Sequence, residues 1–525
     1  MNKKKTSKSA ILTAALLSTS AILANGTKSI TPVRYEDFGA KGDGRTDDHK
    51  AIIAAHKYAN ANNLPVKAND EAIYYIGDSF ATAVIKTDVD FGKAKFIIDD
   101  SKIPIDRRNR SIFEILPDEA SYNPKLSAPV KVGQSSINRT FTCKTMLIIY
   151  NSKVKQFIRY GANQNNGSDQ SDCFIVDENG NIDPTTPIVW DFDEITKSTA
   201  IPLNEKPITI QGGHFTTIAN QAESKYNYYS RNIKISRSNT TIQGMTHLVT
   251  GELDHGAPYA AFLSVQNCAN VVIRDTLLTG HKTYVTIGSA KTPVQMGTYD
   301  LGAGRAINVS FINITQSNDI MDTSRWGLLG TNYCKNLLYD NCVVSRFDAH
   351  CGVCNATIRN SEMGHAGVNL IGYGTFLIEN TTVHGNTMLN LRTDYGSFWR
   401  GDLIIKNCTF KTRASSSVCL VGGYNNGKHD FGYECRMPTN ITIDNLYIDD
   451  GHITATTYNG PFVFTTFNSK YDSKYVETYP YIRTKKVTAK GVVTASGKPL
   501  RLGYNAHFFK DTQFDDGTHK KRKKK

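Results

Sequence analysis

The chain has 525 residues, 40% of them apolar, and 61 Lys and Arg against 48 Asp and Glu give it a formal charge of +13. Four of those positive charges fall in the first eight residues and six in the closing KKRKKK, which leaves +3 for everything between. A body so near neutral excludes nucleic-acid binding driven by a basic field, and no apolar run approaches the roughly 20 residues of a transmembrane helix.

In chain order, Lys3, Lys4, Lys5 and Lys8 precede an apolar run from Ala10 to Leu17 and small residues ending at Ala24. That pattern predicts a signal peptide over 1–24 and a secreted protein, extracellular or periplasmic. From Tyr35 to Asn60 a short strand, a glycine turn at Gly39, Gly42 and Gly44, and a helix capped near Thr46 follow one another, with Asp47 and Asp48 in the first helical turn. Ile52, Ile53 and His56 share a face of that helix, so 33–66 reads as a cap over the open end of a coil, with Asp43, Asp47 and Asp48 structural. Residues 67–206 are expected to form early irregular coils carrying an insertion, 207–450 regular coils, 451–518 C-terminal strands capping the far end, and 519–525 a solvated basic tail. Ten cysteines lack the spacing of a disulfide-stapled scaffold, and the lone Cys351-x-x-Cys354 lacks the second pair of a zinc site, so no metal site is assigned.

A period decides the fold. Apolar-x-apolar units end at Asp275, Asn313, Asn341, Asn360, Asn380, Asn407 and Asn445, at intervals of 38, 28, 19, 20, 27 and 38. Two intervals lie near 20 and the rest exceed it by loop-sized amounts, as in a coil that accepts insertions on one side. Asn tolerates left-handed backbone, and stacked Asn amides bond to one another. The prediction is an all-β chain, a right-handed parallel β-helix with an N-terminal helical cap.

Stacked turns lie about 4.8 Å apart, so one strand face over several turns can assemble a site. The stretch from Ser345 to Gly396 offers Asp348 and His350 on one turn, Asn369 on the next, and Asn390, Arg392 and Asp394 on the one after. Counted from each Asn bend, His350, Asn369 and Asn390 fall in one column. The preceding turn adds Asp319, Asp322, Arg325 and Trp326, and His365 and His384 sit at the bends. Acid and base catalysis by carboxyl groups needs a pair of them across the bond that breaks. Asp322 and Asp348 would be about 4.8 Å apart by backbone, and Asp348 and Asp394 about 9.6 Å. Asp348, Asp394, Asp322 and His350 are therefore the catalytic candidates, with crowding expected to raise one carboxyl pKa. Arg392, Arg325, Trp326, Asn369, Asn390 and His365 are candidate substrate contacts, and Glu252 and Asp254 stand in reserve. Long loops around Asp169 and Lys291 are expected to close one end of the groove.

The stretch YEDFGAKGDGRTDDHKAIIAAHKYAN, Tyr35 to Asn60, resembles the opening of the pectate-lyase-like superfamily, which includes polygalacturonase-type hydrolases, polysaccharide lyases and phage tail-spike depolymerases. The resemblance implies an extracellular polysaccharide or oligosaccharide as partner, cleaved by hydrolysis or by β-elimination. The expectation is a glycoside hydrolase working by paired carboxylates without a cofactor. The alternatives are a polysaccharide lyase, with calcium held near Asp319, Asp322 and Asp348, and a non-catalytic carbohydrate-binding or tail-spike-like coil. Oligomeric state is left open.

Overall fold

The computed structural model describes residues 31–517 apart from Leu328. The predicted signal peptide and basic tail lie outside the described residues. Within them, strand after strand pairs in parallel with its counterpart one coil earlier and one coil later. One such column runs from Val89–Asp99 through Ile208–Ile218, Thr240–Gln243, Ala269–Leu278, Ile307–Gln316 and Leu329–Asp340 to Val343–Arg359 and beyond. Two further columns run beside it, and together they make a right-handed parallel β-helix, the hand that L-residues favour for parallel crossovers.

The seven predicted bend residues all take left-handed backbone, with φ between 47° and 58°. The residues two before each bend, Ile273, Phe311, Tyr339, Ile358, Ile378, Ile405 and Ile443, are all buried, and so are the residues just after, including Cys342 and Cys408. The bend is thus a corner that breaks strand alternation and sends both flanks inward. Asn341 Nδ2 donates to Asn313 Oδ1 at 3.3 Å, and Asn313 Nδ2 to Asp275 Oδ1 at 2.8 Å. A second ladder, not recognised in the sequence, joins Asn239, Asn270, Asn308, Asn336 and Asn355 through bonds of 3.0, 3.0, 2.9 and 3.3 Å, all at positive φ. Its last four members each stand five residues before a member of the first ladder. All ten cysteines are free thiols, most of them buried.

The cap helix, His49–Asn62, buries His49, Ile52, Ala55, His56 and Ala59. It starts later than expected, because 43–47 continues as strand and Asp48 takes the N-cap position. The Asp48 carboxylate instead ties the glycine turn, accepting from the Lys41 and Gly42 amides at 2.6 and 3.0 Å. Ile53 stays half-buried, while Tyr35 Oη meets His56 Nε2 at 2.9 Å.

Two boundaries shift. Val89–Asp99 pairs directly with Ile208–Ile218, so regular coils begin well before 207. Between them sits an antiparallel sheet of Thr145–Gln156, Ser168–Val176 and Lys197–Pro202 with a core of its own. A buried ion pair, Lys335 Nζ to Asp172 Oδ1 at 2.8 Å, fastens it to the coils. At the far end Lys486–Thr494 and Gln513–Asp515 continue the ladder of Asn440–Asp449, so 451–517 adds further coils where a cap was expected.

Replacing Asn308 by Val should lower stability by about 2–3 kcal/mol, the cost of a β-branched residue at positive φ plus two ladder bonds. Denaturant midpoints would measure it, and a loss below about 0.5 kcal/mol would mean that the second ladder is decorative.

Candidate active site

The register lines up Ser264 with Gly302, Gly302 with Gly330, Asp348 with Asn369, Asn369 with Asn390, and Asn390 with Gly422. Gly330 and Asp348 each precede the paired residues Thr331 and Ala349, so the column is continuous. Asp348 therefore occupies the place expected for His350. The cause is an irregularity between Val344 and Arg346, which shifts the register before the column is reached.

Asp348 is fully buried between two guanidiniums, Arg346 Nη2 at 3.0 Å and Arg392 Nη1 at 2.7 Å. Arg392 reaches on to Asp394 through Nε at 3.1 Å and Nη2 at 2.7 Å. Asp394 in turn accepts from Arg159 Nε and Nη2, both at 2.8 Å. The result is an unbroken chain, Arg346, Asp348, Arg392, Asp394, Arg159, in which charges alternate and the cations outnumber the anions by one. Burial pushes both carboxyls up, but the arginines outweigh it and hold Asp348 and Asp394 below the usual carboxylate range. Neither is a proton donor at neutral pH, contrary to the expected raised carboxyl.

Beside this chain lies a groove of about 440 Å³. Its floor is Ser264, Gly302, Gly330, Asn332 and His350, and Arg159, Arg392, Trp326, Tyr226, Tyr228 and Tyr299 wall it. A Cβ on Gly330 would come within 3.0 Å of the Tyr299 ring, so glycine there lets that ring lie against the floor. Among the described residues no carboxylate lines the groove. Burial and the nearby Arg392 lower the His350 pKa to about 4, so the imidazole is neutral at neutral pH. Its Nδ1 stands 3.2 Å from Asn332 Oδ1, which favours a proton there and a lone pair on Nε2. The Arg346 guanidinium lies 4.2 Å over the Trp326 ring and steadies that wall.

The remaining candidates are elsewhere. Asp322 closes its own turn, accepting from Ser324 N at 2.9 Å and Arg325 Nε at 3.1 Å. Arg325 donates to Gly280 O at 2.7 Å, and His365 Nε2 lies 3.1 Å from Arg325 O. Asn369 Nδ2 donates to Ala366 O at 3.0 Å and Asn390 Nδ2 to Asn369 Oδ1 at 2.9 Å, so both extend the column as hydrogen-bonded supports. Asp254 is exposed, outside the groove. Glu252 belongs to a buried relay: Glu252 Oε1 to His281 Nδ1 at 2.8 Å, His281 Nε2 to Asp300 Oδ1 at 3.1 Å, and Asp300 Oδ1 to His247 Nδ1 at 2.7 Å. Burial alone would depress the His281 pKa, but Glu252 and Asp300 outweigh it and lift it to about 10. With Arg325 3.7 Å from Glu252, the relay anchors the segment that carries Trp326.

Sequence reasoning missed Arg159, Tyr226, Tyr228 and Tyr299. Arg159 meets Asp394 across 235 positions, a pairing that no local pattern signals. Calcium fits poorly. Asp348 is enclosed by arginines, Met321 N donates to Asp319 within its turn, and among the described residues no group of three His, Cys, Asp or Glu converges.

No protein-family model matches the chain. A segment covering 19% of this chain is 29% identical to a KL64-specific capsule depolymerase of Klebsiella phage P510 and spans 12% of that protein's length. The tailspike protein gp49 of Pseudomonas phage LKA1 is similar in structure, with a TM-score of 0.54, 12% identity, and 92% of this chain and 84% of that chain covered. The gp54 tailspike of Acinetobacter baumannii bacteriophage AP22, solved with A. baumannii capsular saccharide, gives a TM-score of 0.48 at 11% identity, covering 92% and 79%.

His281 is charged in the folded state well above its ordinary 6.5. Its contribution to stability is therefore complete below that value and lost as pH rises through about 10. Over that alkaline rise the wild type should lose more stability than His281→Gln in chemical denaturation, and equal losses would remove His281 as the cause. The fold is that of the right-handed parallel β-helix proteins, as the cap motif implied.

Proposed function

We propose that this protein acts outside the cell on an acidic polysaccharide, cleaving it in the groove by β-elimination at a uronic acid. One observation carries the reading. Among the described residues the groove is lined by Arg159, Arg392 and a neutral His350 and by no carboxylate, and it adjoins an ion chain with one cation in excess. A sugar carboxylate would balance that excess through the paired donors that guanidinium presents. The local likeness to a capsule depolymerase supports a polysaccharide as the substrate class.

With its carboxylate held, the uronate becomes a better carbon acid, because the guanidiniums stabilise the negative charge that develops as the C5 proton leaves. His350 Nε2 takes that proton. The C4–O bond then breaks, a C4=C5 double bond forms, and the departing oxygen takes a proton from a groove tyrosine. Burial raises the pKa of Tyr228 and Tyr299, so both remain protonated donors. Hydrolysis, the expectation from sequence, keeps one supporting observation: Asp394, with a side chain 22% exposed, lines the adjoining cavity.

Incubation with uronate-containing capsular, algal and plant polysaccharides should yield products with the ultraviolet absorbance of an unsaturated uronate, with or without chelator. His350→Gln should lower kcat by about 10²–10⁴-fold while the thermal midpoint holds. New reducing ends without that absorbance would sink elimination and return the chemistry to Asp394.

A further inference from the structure

Beyond the Arg159 and Asp394 pair lies a second cavity of about 480 Å³, and beyond that a third of about 110 Å³. They form a series. Arg159, Asn163 and Gln295 line the first and second cavities, and Tyr160, Thr393 and Tyr424 line the second and third. The column from Ser264 to Gly422, two residues short of Tyr424, climbs six rungs, about 29 Å at ~4.8 Å per rung. That length suits an oligosaccharide better than a single sugar.

A strap marks the boundary between the first two cavities. The turn at 161–167, which leaves the inserted sheet, meets the hairpin of Val285–Ile287 and Pro293–Gln295. Ala290 N donates to Ala162 O at 3.1 Å, and Ser289 Oγ donates to Gln164 O. Asn163 comes from one side of the strap and Gln295 from the other, and each lines both cavities. On the far side Tyr160 is 52% and Tyr424 45% exposed, two open rings on one polar hollow. Lys428 lines the third cavity. Exposed aromatic rings beside hydrogen-bonding groups form the kind of surface on which sugar rings stack.

We propose that the second and third cavities are a further glycan-binding site, continuous with the groove, which holds the part of an acidic oligosaccharide beyond the scissile bond. The strap divides the two sides, and the inference rests on the cleavage reading above. Tyr160 and Tyr424 stack on sugar faces, Lys428 pairs with a carboxylate, and Asp394, already fixed by two arginines, accepts from sugar hydroxyls. Chain length beyond what the groove holds then contributes affinity.

The test uses the full chain and size-graded fragments of the uronate polymer that it cleaves. In the wild type, KM should fall as fragments lengthen. In the double variant Tyr160→Ala and Tyr424→Ala that gain should shrink about tenfold, ~1.4 kcal/mol for two stacking rings. A length dependence that survives both substitutions, or is missing from the wild type, overturns the second site and leaves the cleavage reading standing. Neither cleavage nor binding of any uronate polymer overturns both.

Discussion

A left-handed corner, repeated once per coil, is the constraint on which the rest of the molecule depends. At each of the seven corners φ lies between 47° and 58°, a region that costs most L-residues about 1–2 kcal/mol and that Asn enters readily. Because the corner recurs at one place, strands stack in register, and because they stack, side chains far apart in sequence fall into columns. Insertions can lengthen a coil between corners without disturbing the column. That freedom admits the antiparallel sheet, the strap and the tyrosines that wall the groove.

Beside one column, where Asp348 stands, polar residues from neighbouring coils and from the inserted sheet form an ion chain. Taking each charge out of water costs several kcal/mol, and only alternation of sign with close hydrogen bonding offsets it. Asp348 and Asp394 each lie between two arginines, so the carboxylates organise guanidiniums and are held ionised by them. The surplus cation borders the groove, where it is preorganised for an anionic ligand. The relay through His281 plays a comparable part under the Trp326 wall, since its paired charges reach Arg325 beside Trp326.

Much of the fold was legible because it is local. The Asn period, the inward residues around each corner and the cap helix follow from short-range pattern. The second Asn ladder was equally available through its constant offset of five from the first. The site was legible only in part. Asp348, Arg392 and Asp394 do converge, but the irregularity between Val344 and Arg346 moved Asp348 into the column, and a second one opposite Thr331 and Asn332 leaves His350 as the extra, unpaired residue at the groove floor. Counting from the Asn corners cannot detect such a shift. Arg159 and Tyr226 reach the groove from an insertion and a loop, and Asp322 bonds within its own turn. Those outcomes are set by tertiary contacts and by competition among nearby donors.

The central claim is that the two groove arginines hold a sugar carboxylate against His350. The most direct measurement is a crystal structure of the His350→Gln chain with a uronate oligosaccharide. The account predicts a carboxylate about 2.7–2.9 Å from Arg159 or Arg392, with the C5 hydrogen facing position 350. A sugar bound with Asp394 against its glycosidic oxygen, or one seated away from the groove, would contradict it.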